Sequence, residues 1–118
     1  MDTTPKEAYL YQVESGRCPF EEWLDSLRDR KGRAKIRVKV ARVRAGNLGH
    51  CKPVGQGVLE LKIDFGPGYR IYLGQVGQTI IILLCGGDKA TQAEDIKAAH
   101  DYWADYGRRP HAARKKIS

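Results

Sequence analysis

The sequence predicts an α+β fold in the order β-α-α-β-β-β-α, with a sheet of four strands. Three observations carry that expectation. Apolar residues alternate with period two near Tyr9 and again from Leu59 onward, but recur at i, i+3, i+4, i+7 elsewhere. The later strands come in one run, with helices grouped before and after it, which is the α+β pattern. A length of 118 residues with 42% apolar content suits one core without covalent staples.

Residues 1–7 read as a loose start. From Ala8 to Glu14, Tyr9, Tyr11 and Val13 alternate with Leu10, Gln12 and Glu14, a short strand closed by Ser15-Gly16. Pro19 suits a first helical turn, and Glu21 and Glu22 favour the positive end of the helix dipole. Phe20, Trp23, Leu24 and Leu27 form its apolar stripe, with Gly32 as a stop or hinge. A second helix is expected from Arg33 to Ala45, with Ile36, Val40 and Val43 on one face.

Residues 46–57 are a glycine-rich connection. Leu59, Leu61, Ile63 and Phe65 then alternate with Glu60, Lys62 and Asp64, the clearest strand in the chain. Gly66-Pro67-Gly68 turns it into a hairpin whose return sets Ile71 and Leu73 against Arg70 and Tyr72. Ile80 to Cys85 reads as a strand covered on both faces, broken at Gly86-Gly87-Asp88-Lys89. Thr91 with Glu94 predicts a capping box for a last helix bearing Ile96, His100 and Trp103, ended by Gly107. One domain over residues 1–107 and a basic, flexible tail over 108–118 are expected.

The longest apolar run, Ile80 to Cys85, falls far short of the roughly 20 residues a membrane helix needs. No basic start precedes an apolar stretch, so no secretory signal is expected. Cys18, Cys51 and Cys85 are odd in number and far apart, which fits reduced thiols in a cytoplasm. Gly86-Gly87-Asp88-Lys89 lacks the spacing of a phosphate-binding P-loop, and His50-Cys51 lacks a second ligand pair for zinc. His100 lies on an apolar stripe and His111 in the tail, so neither is a catalytic candidate.

Charge speaks about partners. Lys and Arg number 21 against 14 Asp and Glu, a formal +7 that raises affinity for polyanions. Arg33, Lys35, Arg37, Lys39, Arg42 and Arg44 crowd the second helix with no acid among them. Like charges at i, i+4 each destabilise a helix by about 0.2–0.5 kcal/mol. An acidic partner is therefore expected, nucleic acid or an acidic protein, which spacing does not distinguish; a merely solvated amphipathic helix is the equal alternative. Opposite the apolar side of the hairpin stand Glu60, Lys62, Asp64, Arg70 and Tyr72, with Lys89 where the third strand of the meander ends. Arg70, Lys62 and Lys89 suit a phosphate clamp, and Tyr72 suits base stacking or proton transfer. The same face also reads as an ordinary solvent face laced with cross-strand salt bridges.

The segment from Gly57 to Tyr72, through Gly66-Pro67-Gly68-Tyr69-Arg70, resembles the core signature of RelE/HigB-type toxins of bacterial toxin–antitoxin modules. The run from Leu83 to Ile96 is similar to the branch of addiction-module killer proteins, and Phe20 to Leu27 and Arg44 to Gly49 fit it too. The resemblance covers roughly Tyr9 to Tyr106. It implies two N-terminal helices packed on a small, mainly antiparallel four-stranded sheet. It also implies a metal- and cofactor-independent endoribonuclease that cuts messenger RNA on the ribosome and inhibits translation. A cognate helix-turn-helix antitoxin is the implied partner. Arg70 matches the family arginine after Gly-Tyr, Lys62 a strand lysine, and Lys89 a basic residue after the last strand. Glu60 stands where RelE-type members carry a second lysine. Asp95 is nearest to the position of their tyrosine or histidine base, so Asp95, Tyr72 and Glu60 are the candidates for proton acceptor. Two alternatives share the resemblance: a ParE-type chain that binds DNA gyrase and cuts no RNA, and a non-toxic RNA- or ribosome-binding module.

Overall fold

The computed structural model describes residues 4–117. Of the expected loose start, residues 1–3 lie outside the described residues, and Glu7 already begins a strand. The elements are β1 (Glu7–Tyr11), α1 (Pro19–Ser26), α2 (Arg30–Arg44), β2 (Cys51–Pro53), β3 (Val58–Ile63), β4 (Tyr69–Val76) and β5 (Ile80–Gly87). A 3₁₀ turn (Lys89–Thr91), α3 (Gln92–Arg108) and β6 (Arg114–Lys116) follow. The fold is α+β as expected, but the sheet has six strands in the order β2-β3-β4-β5-β1-β6. β1 runs parallel to β5, and the other neighbours are antiparallel.

The two extra strands are short edges without the alternation that marks a half-buried strand. β2 has all three residues exposed and includes a proline, which sheets tolerate at an edge. β6 is Arg114-Lys115-Lys116, so the expected flexible tail is tied down along β1 instead. The Arg114 guanidinium lies 4.3 Å from the centre of the Tyr9 ring, and Lys115 Nζ sits 3.7 Å from Glu21 Oε1. A basic edge strand also discourages pairing with another chain's edge.

Helices cover both faces of the sheet. On one, α1 and α2 bury Phe20, Ile36 and Val43 against Leu61, Ile63, Ile71, Leu73, Ile81 and Leu83. On the other, α3 buries Ala99 and Tyr106 against Val58, Tyr72, Ile82, Leu84 and Cys85. The break in β4–β5 register between Tyr72 and Leu73 puts the consecutive residues Leu84 and Cys85 on the same face, under α3. Period two therefore holds along β5 only up to that irregularity.

Helix boundaries differ from expectation at the starts of α2 and α3, each for a local polar reason, and at the end of α3, which runs through Gly107 to Arg108. Gly32 does not end a helix; it lies in the first turn of α2, capped by Asp29, whose Oδ1 accepts from the Gly32 N–H at 2.9 Å. A Cβ on Gly32 would stand 2.6 Å from Asp29 Oδ2 and 2.7 Å from the Tyr69 ring, so the glycine serves a close approach. At α3, Thr91 makes no side-chain cap; its hydroxyl donates to Asp95 Oδ2 at 2.5 Å. The capping box is formed one turn earlier by Asp88 and Thr91 around the 3₁₀ turn.

The far end of α3 is pinned to β1 by a partly buried network. Tyr11 Oη donates to Asp105 Oδ2 at 2.5 Å, and Arg109 donates to both oxygens of the same carboxylate. Arg109, then Tyr11, hold Asp105 at about 2, below its ordinary 3.8. A carboxylate depressed in the native state contributes stability above its unfolded pKa and loses it as pH falls through the native one. Asp105→Asn is therefore expected to cost about 1–2 kcal/mol at pH 7, the gap from wild type closing between pH 4 and about 2. Urea unfolding at stepped pH measures this, and a gap that does not narrow on acidification contradicts it.

Candidate nucleic-acid interface

Hairpin register builds the centre of the site. Lys62 on β3 is paired directly with Arg70 on β4, and Glu60 with Tyr72. Arg70 is in turn paired with Gly87 at the end of β5. The Gly66-Pro67-Gly68 turn then folds back toward the start of the 3₁₀ turn, where the Lys89 N–H donates to Pro67 O at 3.4 Å. Gly68 has φ +80, a conformation glycine adopts freely. A Cβ there would meet Arg70 Nη1 at 3.1 Å.

The result is a cleft of about 380 Å³ walled by the turn and by Lys62, Asp64, Arg70 and Lys89. Three cations distant in sequence converge there from β3, β4 and the 3₁₀ turn. Lys62 is exposed, with Nζ 3.2 Å from Asp64 Oδ1, and Lys89 is exposed. Arg70 is 6% exposed, and its Nη1 donates to Gly68 O at 2.6 Å. Such a set of donors stabilises an anion, and the buried member has already been stripped of most competing water.

The face behind these cations departs from expectation. Glu60, Arg70 and Tyr72 do not form an open solvent face: all three are buried, Tyr72 in the cluster packed under α3 and Glu60 bonded to Gln92 at the start of that helix. Tyr72 has no exposed surface and donates to Glu60 Oε2 at 2.9 Å, so it is placed neither to stack on a base nor to meet a substrate. Burial foremost, then the bond to Glu60, push its hydroxyl far up. Glu60 is 6% exposed and also accepts from Gln92 Nε2 at 2.9 Å. Asp95 lies behind Gly87 rather than in the cleft wall: a Cβ on Gly87 would fall 1.7 Å from Asp95 Oδ2. Burial raises the Asp95 pKa, opposed by the Thr91 hydrogen bond.

A groove of about 540 Å³ adjoins the cleft through Lys62 and Asp64 and runs along α2 past Lys31, Lys35, Val38, Lys39 and Arg42. Of the six cations expected to act together on α2, only Lys35, Lys39 and Arg42 line it. Arg37 and Arg44 border a separate groove of about 340 Å³ that Phe20 and Leu24 of α1 also line, and Arg33 donates to Leu27 O. Lys31 joins the groove although the sequence alone points to a helix beginning at Arg33; Gly32 masks the first turn. Phe65 lines the cleft, with its ring 5.2 Å from Lys35 Nζ of the groove.

Among the described residues, no three or more His, Cys, Asp or Glu side chains gather to hold a metal ion. Cys18 and Cys85 are buried thiols and Cys51 is an exposed one. Burial pushes Cys85 up to about 12. His100 is a boundary residue on α3, with Nε2 2.9 Å from Val54 O. No helix among the described residues is long and apolar enough to cross a membrane.

No family model and no solved structure matches the chain. An uncharacterized protein of Haemophilus influenzae is 48% identical to it over 80 residues, 68% of this chain and 81% of that protein. At that identity and coverage, the chain belongs to one family with the Haemophilus influenzae protein.

Proposed function

We propose that this chain is the toxin of a type II toxin–antitoxin module, of the RelE/HigB kind. Its activity in this reading is cleavage of messenger RNA on the ribosome by attack of a ribose 2′-hydroxyl on the adjacent phosphate. The observation that carries the reading is the meeting of Lys62, Arg70 and Lys89 in one cleft that continues into the α2 groove. In-line displacement builds negative charge on the phosphoryl oxygens and on the departing 5′ oxygen. Fixed cations that meet this charge are typically worth about 10²–10³ in rate each. The groove supplies phosphate contacts for the flanking nucleotides, which position the strand without reading its sequence. Tyr72 and Glu60 are buried and Asp95 lies behind Gly87 outside the cleft wall, so none of the three sequence-derived candidates is placed as the proton acceptor. A helix-turn-helix antitoxin with an acidic segment would cover the same cations.

The test is controlled expression of wild type, Arg70→Ala, Lys62→Ala and Lys89→Ala in bacterial cells, with messenger RNA 5′ ends mapped before and after induction. New cuts in translated frames are expected from the wild type. At equal protein level they should vanish in Arg70→Ala and fall about tenfold or more in the two lysine variants, whose exposed side chains leave folding intact. Growth arrest with intact messages would overturn the ribonuclease reading in favour of a gyrase-binding one. Neither arrest nor cuts would leave an RNA- or ribosome-binding module.

A further inference from the structure

We infer that Glu60 is a positioning residue, a buried carboxylate that aims the Arg70 guanidinium at the cleft and is itself held by Tyr72 and Gln92. The inference rests on the ribonuclease reading for its consequence in catalysis, but its geometry stands apart from that reading. Glu60 and Arg70 are each 6% exposed. Buried charges of this kind persist only when paired and hydrogen-bonded. Glu60 Oε2 accepts from Tyr72 Oη and from Gln92 Nε2, both at 2.9 Å, so the carboxylate is clamped between β4 and the first turn of α3.

The guanidinium is gripped unevenly. Nη1 donates to Gly68 O at 2.6 Å, while Nε faces Glu60 Oε2 at 3.9 Å, close enough for charge attraction but too long for a hydrogen bond. Arg70 Nε is the one buried side-chain nitrogen or oxygen without a hydrogen-bond partner among the described residues. A buried donor left unmade carries a cost that ordinary packing removes, and such donors recur at functional sites. Nη2 makes no hydrogen bond among the described residues, and the side chain lines the cleft. One edge of the guanidinium is thus restrained by Glu60 and Gly68, leaving Nη2 for an anion.

This arrangement accounts for an acidic residue in a cluster of cations. A second cation on β3 would add charge to the cleft, whereas Glu60 trades charge for a fixed direction, and fixed donors are those that need no reorganisation during reaction. It also couples the cleft to α3 through Gln92, so displacement of the first turn of α3 would release Arg70.

The experiment compares wild type, Glu60→Gln, Gln92→Ala and Lys62→Ala by thermal unfolding, by the NMR signal of the Arg70 Nε–H, and by cleavage on programmed ribosomes. Glu60→Gln keeps the acceptor for Tyr72 and removes only the charge facing Arg70. It is expected to remain folded and to shift or broaden the Arg70 Nε–H signal. Its maximal cleavage rate should fall at least tenfold, with less than a threefold change in half-saturating substrate. Gln92→Ala should move both readouts in the same direction by less, and Lys62→Ala should lower the cleavage rate with little change in the Arg70 Nε–H signal. An unchanged Nε–H signal in folded Glu60→Gln overturns the inference, as does full cleavage by that variant. If the wild type cuts no RNA, the ribonuclease reading fails, and the Nε–H signal still decides whether Glu60 orients Arg70.

Discussion

Gly86→Ala and Gly74→Ala are each expected to destabilise the protein by about 2–3 kcal/mol, lowering Tm by roughly 10 °C. Each glycine is the seat of a tryptophan, one on either face of the sheet. A Cβ on Gly86 would lie 2.3 Å from the Trp23 ring, and one on Gly74 would lie 2.4 Å from the Trp103 ring. Neither ring can retreat easily. Trp23 packs against Phe20 and Tyr69 with ring centres 5.8 and 6.1 Å apart. Trp103 is stacked on Tyr106 at 5.3 Å with the planes 5° apart. Overpacking at such a site forces off-rotamer side chains or a shift of the helix. Gly107 provides the control, since it lies in α3 with nothing within 4 Å of its would-be Cβ. Gly107→Ala should stabilise by about 0.5–1 kcal/mol through helix propensity and reduced unfolded-state entropy. Thermal and urea unfolding of the three variants measure all of this. A Tm for Gly86→Ala within about 2 °C of wild type would mean that Trp23 is not seated on that glycine.

The triple variant Lys35→Ala, Lys39→Ala, Arg42→Ala is expected to weaken binding of a single-stranded RNA oligonucleotide by about 30- to 100-fold near physiological salt. The double variant Arg37→Ala, Arg44→Ala should change it by less than about threefold. The contrast follows from placement on α2: the first three line the groove that joins the cleft, and the other two border the groove shared with α1. Each phosphate contact to a single strand contributes a slope of about −0.7 in log affinity against log salt. Removing three should therefore flatten the slope by about 2. Fluorescence anisotropy across a potassium chloride series reads both quantities. Equal losses in the two variants would assign RNA affinity to net charge alone and remove the groove from the account.

Much of the architecture was legible in the chain because periodicity reports directly on which residues share a face. Leu59, Leu61 and Ile63 do share one face of β3, with Glu60 and Lys62 on the other, and Pro19 does open α1. The hairpin around Gly66-Pro67-Gly68 was legible, but its register was not: residues 64–68 form the connection, so Ile63 pairs with Tyr69 and Lys62 with Arg70. The parts that escaped lack a periodic signal. β2 and β6 are three-residue edges, and nothing in Arg114-Lys115-Lys116 announces a strand until β1 presents an open edge beside it. Gly32 reads as a breaker in one dimension, yet in space it makes room for the Tyr69 ring and the Asp29 cap.

The sequence by itself determined the α+β class, the order of the main elements, the apolar sides of α1, α2 and β3, and the candidacy of Lys62, Arg70 and Lys89. Only the tertiary structure decided what covers each face. Alternation separates the two sides of a strand, but a charged or polar side looks the same in sequence whether water or a helix lies over it. Here α3 covers Tyr72 and holds Glu60 through Gln92, while Arg70, also buried, keeps a place in the cleft wall beside the exposed Lys62. Exposure depends on elements distant in the chain, and it separates the cations that can meet a ligand from the groups that can only hold them in place.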